Sequence, residues 1–203
     1  MNVEEKSDIL RIVKEDFLEV LGREKNRILL KSMNLELKVS SFFISKVIKE
    51  LEKEDLIKTS TKKGEKYVQL TEEGKDKARE VIKKHLVLES YFGKTRSKKE
   101  AIKRTNILEH YISMEVIDNI KKLSTLKEKG VSLTEFRQKE GLITDIIFGI
   151  GLFERIISMG IFPGEKIKII NEIPNGIVIE VKNKKFVLAK KIARGIRVLK
   201  LRT

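Results

Sequence analysis

The fold of the N-terminal part is decided by residues 40–70, which read SSFFISKVIKELEKEDLIKTSTKKGEKYVQL. The two serines at the start form a good N-cap pair for a helix over residues 42–54, where apolar side chains recur at helical spacing. Residues 59–66 are polar and basic and contain a glycine, which predicts a loop. Residues 67–70 then alternate between apolar and polar side chains, as a strand does.

Two further helical patterns precede this stretch. Apolar residues recur at helical spacing from Ile9 to Leu21, and Gly22 is placed to stop that helix. A second, shorter helix is expected over Arg27–Leu35. Three helices followed by a basic hairpin predict a winged helix-turn-helix domain over residues 1–75.

In such a module the last helix enters the major groove of DNA with its N-terminal turn, while the wing meets phosphates. The predicted DNA-binding residues are Ser40, Ser41, Phe42, Ser45, Lys46 and Lys49 on or near the reading face, and Lys58, Lys62, Lys63 and Lys66 at the wing. Phe42 either packs inside the domain or touches a thymine methyl group. The alternative is a winged helix used for protein contacts, and the basic wing favours DNA.

The amino-acid composition excludes several kinds of functional site. The 203 residues include no cysteine, which excludes disulfides, a thiolate zinc site and a cysteine nucleophile. No nucleophile and base pair or intact phosphate loop appears, so we expect neither an enzyme nor a small-molecule substrate. The acidic start lacks the features of a signal peptide, and the apolar stretch 142–153 is too short to span a bilayer, so a cytoplasmic protein without membrane contact is expected.

The net charge of +14 points towards polyanionic partners. The excess is uneven, since residues 129–203 carry 15 basic and 7 acidic side chains.

The middle of the chain predicts a helical domain over residues 76–126. A long helix begins after the cap Thr71 and runs to about Phe92, and a second helix is expected from Lys98 to Leu123. The second helix carries a wide apolar stripe, typical of a dimer interface, at positions 107, 108, 111, 112, 116, 117 and 120.

These helices carry the only two histidines, each within a cluster of polar side chains at helical spacing. His85 and Glu89 form the first cluster, and Asn106, Glu109 and His110 form the second. Imidazole and carboxylate ligands without cysteine suit Mn²⁺ or Fe²⁺. Spacing alone leaves open the alternative of two scattered histidines on solvated helices.

A linker is expected over residues 124–130, and short β-rich runs with tight turns follow it. They predict a small β-barrel within residues 127–203, with strands at 166–170, 177–181, 186–189 and 197–201 and a short helix at 153–159. The expected fold class is therefore a multidomain α+β protein.

This order of parts resembles the metal-dependent repressors of the diphtheria toxin repressor and manganese transport regulator type. The run Leu70-Thr71-Glu72-Glu73-Gly74 is similar to that family, and so is Lys84-His85 leading to Glu89. The run from Glu154 to Gly164 resembles a FeoA-type domain with an SH3-like barrel.

The resemblance implies a shared set of metal ligands. On it, the candidate ligands are Asp16, Glu19, His85, Glu89, Asn106, Glu109 and His110. Two positions depart from the family: Asn106 stands where cysteine or glutamate is usual, and Ile102 replaces a further histidine found in some members. An asparagine offers only a neutral oxygen, which puts a second ion and high affinity in doubt.

The resemblance also implies a function. We expect a repressor of metal-uptake genes, activated by Fe²⁺ or Mn²⁺ with Fe²⁺ favoured by the FeoA-type barrel, which binds a pseudo-palindromic double-stranded DNA operator as a homodimer. Two alternatives remain: a metal-independent winged-helix regulator, and an adaptor whose basic barrel binds an acidic protein or a membrane surface.

Overall fold

The computed structural model describes residues 3–24, 27–126 and 130–201, without the side chains of residues 3–7 and 34. The chain forms two compact units, Met1–Lys84 and His85–Thr203, and the boundary falls inside one long helix. Helices and antiparallel sheets occur in both units, which confirms the expected mixed fold. The division into three domains at residues 75 and 126 stays a prediction.

The N-terminal unit has the element order of a winged helix. Its elements are α1 (Val3–Arg23), β1 (Ile28–Leu29), α2 (Leu30–Leu37), α3 (Ser41–Lys53), β2 (Ile57–Lys62), β3 (Glu65–Leu70) and the first part of α4 (Glu72–Gly93). The three strands form an antiparallel sheet in the order β1-β3-β2.

Side-chain caps fix the starts of the two helices that flank the hairpin. The Ser40 hydroxyl accepts a hydrogen bond from the N–H of Phe43 at 3.3 Å, as the sequence predicts. The Thr71 hydroxyl likewise accepts from the N–H of Gly74 at 2.9 Å. One face of α3 is buried in a core that includes Phe17 and Met33. The caps and this core together hold α3 and the hairpin in place.

Three local predictions in this unit are wrong. Gly22 does not stop α1 but lies within it, where a Cβ atom would stand 2.8 Å from Cβ of Ala78, so the glycine permits close packing against α4. The expected helix at Arg27–Leu35 is a short strand followed by α2, because residues 28 and 29 pair with β3. The expected loop at residues 59–66 is mostly strand, since β2 and β3 pair up to Lys62 and Glu65.

The C-terminal unit combines the rest of α4 with two helices and a sheet. Its further elements are α5 (Lys98–Leu108), α6 (Met114–Thr125), β4 (Val131–Ser132), β5 (Glu140–Ile146), α7 (Ile150–Ser158), β6 (Lys166–Ile173), β7 (Gly176–Val181), β8 (Lys184–Ala189), α8 (Lys190–Ala193) and β9 (Ile196–Lys200). The strands form one antiparallel sheet in the order β4-β9-β5-β6-β7-β8. Strand β5 was not predicted, and residues 127–129 of the predicted linker lie outside the described residues.

The expected single helix from Lys98 to Leu123 is wrong. Helix α5 ends at Leu108, a turn follows, and α6 starts after Ser113, whose hydroxyl accepts from the N–H of Val116 at 3.4 Å. Ser113 caps the start of a new helix, and the spacing of apolar residues alone does not reveal this break. Five of the seven stripe residues are buried inside the unit itself: Leu108, Ile112, Val116, Ile117 and Ile120. The stripe is therefore mainly core and does not by itself indicate a dimer interface.

Helix α5 is joined to the sheet through Arg104, whose side chain is only 1% exposed. Its guanidinium donates to the carbonyl oxygens of Ile146, at 3.0 Å, and Phe148, and to the carboxylate of Glu100 at 2.9 Å. It also lies over the ring of Phe153, 4.4 Å from the centroid. A single apolar core extends from α4, α5 and α6 into the sheet. The helices and the sheet of this unit are thus packed as one body.

Candidate metal centre and DNA-reading surface

His85 and Glu89 lie one turn apart on α4, in the C-terminal unit. Nε2 of His85 is 3.8 Å from a carboxylate oxygen of Glu89, so the helical spacing brings the two side chains to the same face as predicted. The imidazole is mostly buried, whereas the carboxylate is partly exposed.

Glu109 lies between the two histidines. Its Oε2 is 2.9 Å from Nδ1 of His85, and its Oε1 is 3.7 Å from Nε2 of His110. The carboxylate is 3% exposed and the His110 side chain is similarly buried. Both residues stand in the turn that follows α5, not in a continuing helix. The end of α5 therefore places a buried carboxylate beside two imidazoles.

A buried carboxylate is costly unless a positive charge or a set of hydrogen bonds compensates it. Two imidazoles and a carboxylate are a donor set that Mn²⁺, Fe²⁺ and other divalent ions accept. Ligand atoms about 2.1 Å from a shared ion stand at most about 4.2 Å apart. The separations of 2.9 Å to His85 and 3.7 Å to His110 each lie within that limit, so Glu109 and either histidine can share a metal ion.

The two nitrogens of His85 face different carboxylates. Nδ1 points to Glu109 and Nε2 points to Glu89. A metal-bound histidine commonly uses one nitrogen as the ligand and is oriented by a carboxylate at the other nitrogen. At 3.8 Å, the carboxylate of Glu89 lies near Nε2 but beyond hydrogen-bond distance.

Asp16 and Glu19 lie on α1, in the N-terminal unit. Asp16 is half-buried, and Glu19 is nearly buried and accepts from Nε of Arg23 at 3.1 Å. Asn106 lies on α5 in the C-terminal unit, where it is exposed to solvent. Their part in metal binding stays a prediction.

The predicted DNA-binding side chains share one property, which is exposure. All ten are exposed: Ser40, Ser41, Phe42, Ser45, Lys46, Lys49, Lys58, Lys62, Lys63 and Lys66. Phe42 is 82% exposed, so of the two alternatives for this residue the structure excludes packing inside the domain. A large apolar side chain at the N-terminal turn of α3, open to solvent, is available for an external contact.

Two features were missed from the sequence. Leu35, in the last turn of α2, is 81% exposed, and the sequence analysis does not single out this exposed apolar side chain. Arg104 was not singled out, although its guanidinium joins α5 to the sheet. The sequence signal for Arg104 was its long basic side chain on the apolar side of α5.

Among the helices of the described residues, none is long and apolar enough to cross a membrane.

Two stretches of the chain match known domain families. Residues 71–126 match the "Iron dependent repressor, metal binding and dimerisation domain", and residues 131–200 match the "FeoA domain". The chain therefore contains a stretch similar to the metal-binding and dimerisation domain of iron dependent repressors, followed by a stretch similar to a FeoA domain. These two matches confirm the resemblance read from the sequence.

Several solved structures are similar to the chain. ScaR with bound Cd²⁺ is 21% identical, with 93% of this chain and 99% of that chain covered and a TM-score of 0.46. IdeR of T. acidophilum is 17% identical, with coverage of 98% and 97% and a TM-score of 0.42. An iron uptake regulatory protein (FeoA) is 32% identical, with coverage of 35% and 97% and a TM-score of 0.33. No curated protein sequence is significantly similar to the chain. Because these TM-scores lie below 0.5, the resemblance rests on the two domain matches.

Proposed function

We propose that this protein is a metal-activated repressor of metal-uptake genes that binds a pseudo-palindromic operator as a homodimer. The observation that carries the proposal is the buried carboxylate of Glu109 between His85 and His110, inside a domain of the metal-binding repressor family. The exposed α3 and wing lysines supply the DNA contacts.

Three ligands of the ion come from the C-terminal unit. Glu109, His110 and His85 are the proposed ligands, and the carboxylate of Glu89 lies 3.8 Å from Nε2 of His85. When bound, a divalent ion supplies positive charge beside the buried Glu109 carboxylate.

The family resemblance, and not a measured distance, adds Asp16 and Glu19 to the ligand set. Asn106 would contribute at most a neutral carbonyl oxygen. Its exposure on α5 favours a single ion per subunit.

Metal controls DNA binding only to the extent that it prefers the DNA-competent arrangement of the chain. A tenfold preference for that arrangement corresponds to about 1.4 kcal/mol. Ligands on α1, α4 and the turn after α5 give the ion influence over three separate segments. Binding then shifts the population towards the dimer that holds both reading heads on one operator.

Fe²⁺ and Mn²⁺ are the proposed physiological ions. The oxygen and imidazole ligands suit both, while heavier divalent ions bind such sites more tightly without selectivity. The FeoA domain at residues 131–200 favours Fe²⁺ by analogy with iron-uptake proteins.

The proposal is tested with metal-stripped protein and duplex DNA from its own promoter region. Fe²⁺ under anaerobic conditions or Mn²⁺ should produce a gel shift that a chelator reverses, and calorimetry should show one ion per subunit. Metal binding without any effect on DNA affinity would contradict the proposal. DNA binding of equal strength with and without metal would identify a metal-independent regulator instead.

A further inference from the structure

The basic excess of the C-terminal part is confined to its last 23 residues. Residues 129–180 carry six basic and seven acidic side chains, whereas residues 181–203 carry nine basic and no acidic ones. A one-sided run of this kind is the composition of a surface that meets a polyanion. The metal centre and the α3 reading face use none of these residues.

The structure gathers part of this run along one end of the sheet. Lys184 and Lys185 lie on β8, which is the end strand of the six-stranded sheet, and Lys190 and Lys191 follow on α8, with Arg194 just after it. All five side chains are exposed. We call these five residues the basic edge.

The basic edge is not neutralised by the protein. Among the described residues, no carboxylate oxygen lies within 4.0 Å of the charged nitrogens of these five side chains. Glu180 stands opposite Lys185 in the β7–β8 register without forming an ion pair. The neighbouring Lys182 is different, because its Nζ is 3.0 Å from Glu165. The edge thus keeps its charge for an external partner.

Its chemistry favours phosphates over other anionic partners. The one aromatic residue between positions 184 and 194 is Phe186, which is half-buried opposite Ile179 and packs against the core. No exposed ring is available there for stacking on bases or for entering a membrane interface. Lysine ammonium groups on a strand edge instead suit the regularly spaced phosphates of a duplex.

We propose that the basic edge binds the phosphate backbone of double-stranded DNA, as a second and sequence-independent contact besides the α3 reading face. The inference rests on the proposed function, because it takes operator DNA as the polyanion that the protein encounters. It gives the FeoA domain a role in holding DNA, which adds affinity without changing which sequence is read.

The experiment measures the affinity of the full chain for promoter duplex across a series of salt concentrations, with metal present. Substituting Lys184, Lys185, Lys190 and Lys191 by alanine should lower the slope of log affinity against log salt by about 2 to 4, near 0.9 per lost phosphate contact. Affinity for a scrambled duplex should fall by the same factor as that for the promoter, because no base contact is lost. The corresponding lysine-to-arginine variant should retain the slope.

A matched pair of variants controls for charge alone. Lys190→Ala with Lys191→Ala and Lys98→Ala with Lys99→Ala each remove two charges from adjacent exposed lysines in the same unit. The first pair should reduce the salt slope and the second should leave it unchanged. Equal slopes for the two pairs would overturn the proposal, as would a wild-type slope for the fourfold alanine variant with an unchanged denaturation midpoint.

Failure of this inference is distinguishable from failure of the proposed function. If the fourfold variant keeps wild-type DNA binding but loses retention on an acidic protein column or on phosphatidylserine vesicles, the edge has another partner and the inference is wrong. If DNA binding does not respond to metal, the proposed function fails. The salt slope on scrambled duplex still decides the role of the basic edge in that case.

Discussion

The two units of the protein carry their functional side chains in opposite ways. In the N-terminal unit the ten predicted DNA-binding residues are all exposed, and the core beneath them is apolar. In the C-terminal unit Glu109, His110 and Arg104 are buried, and His85 is nearly so. The DNA-reading side chains of the first unit face solvent, whereas the candidate metal ligands Glu109 and His110 of the second unit are buried.

This difference has an energetic consequence. Exposed polar residues contribute little to folding, so the DNA-reading surface can change without loss of stability. Buried ionic groups are strongly coupled to their partners, and removal of one leaves the others uncompensated. Substitutions in the first unit should therefore change binding, while those in the second should change both stability and ligand affinity.

The largest expected loss of stability follows from Arg104→Met. The change leaves the carbonyl oxygens of Ile146 and Phe148 without their donor, and the carboxylate of Glu100 keeps only its ion pair with Arg96 at 3.5 Å. The expected cost is about 3 to 5 kcal/mol in the free energy of unfolding, measured by urea denaturation. An Arg104→Lys variant, which keeps the charge but loses the planar fork, should recover only part of it. A cost below about 1 kcal/mol would show that the guanidinium does not hold α5 to the sheet.

Gly74→Ala tests the packing of the first unit at a position where an added side chain would collide with the backbone. A Cβ atom at Gly74 would lie 1.8 Å from the carbonyl oxygen of Leu56, and that oxygen belongs to the backbone leading into the wing. We expect a loss of about 3 kcal/mol, at the upper end of the cost of overpacking. Gly93→Ala in the same helix is the control, since a Cβ there has no atom within 4 Å, and it should be neutral or slightly stabilising.

The sequence was more informative for the first unit than for the second. Local signals placed the Ser40 cap, the buried face of α3 and the hairpin, because each depends on neighbouring residues. The break after Leu108 was missed because Ser113 restarts the helix without changing the apolar period. The interpretation of the stripe as a dimer interface stays a prediction, because burial inside the same unit gives the same pattern. The exposure of Phe42 could not be derived, since an aromatic residue beside a serine cap fits either environment.

Phe42→Ala should lower the affinity for DNA without lowering the stability of the fold. The side chain is exposed, so the free energy of unfolding should change by less than about 0.5 kcal/mol. Affinity for operator DNA should fall about tenfold, or about 1.4 kcal/mol, through loss of an apolar contact with a base. Leu35→Ala removes a similarly exposed side chain outside the predicted reading face and should leave DNA affinity unchanged. Equal losses for both variants would contradict a specific role for Phe42.

The smallest expected effect concerns Tyr91 in the second unit. Burial, and then the nearby carboxylate of Asp145, raises the pKa of the Tyr91 phenol, whose hydroxyl donates to the carbonyl oxygen of Thr144. Because the folded pKa lies above the unfolded value of about 10, the resulting stabilisation is present below that value and is lost as the pH rises through the folded pKa. Phenolate absorbance should therefore show one tyrosine that ionises late, together with unfolding. The late step should vanish in Tyr91→Phe, and its persistence there would refute the assignment.

The central claim is that Glu109 couples metal binding to DNA binding. The direct measurement is the ratio of operator affinities with and without Mn²⁺, for the wild type and for Glu109→Gln, which keeps the shape of the side chain and removes its charge. We expect a ratio of at least about ten in the wild type and a ratio near one in the variant, with metal-free DNA binding unchanged. A variant that retains the wild-type ratio would contradict this claim.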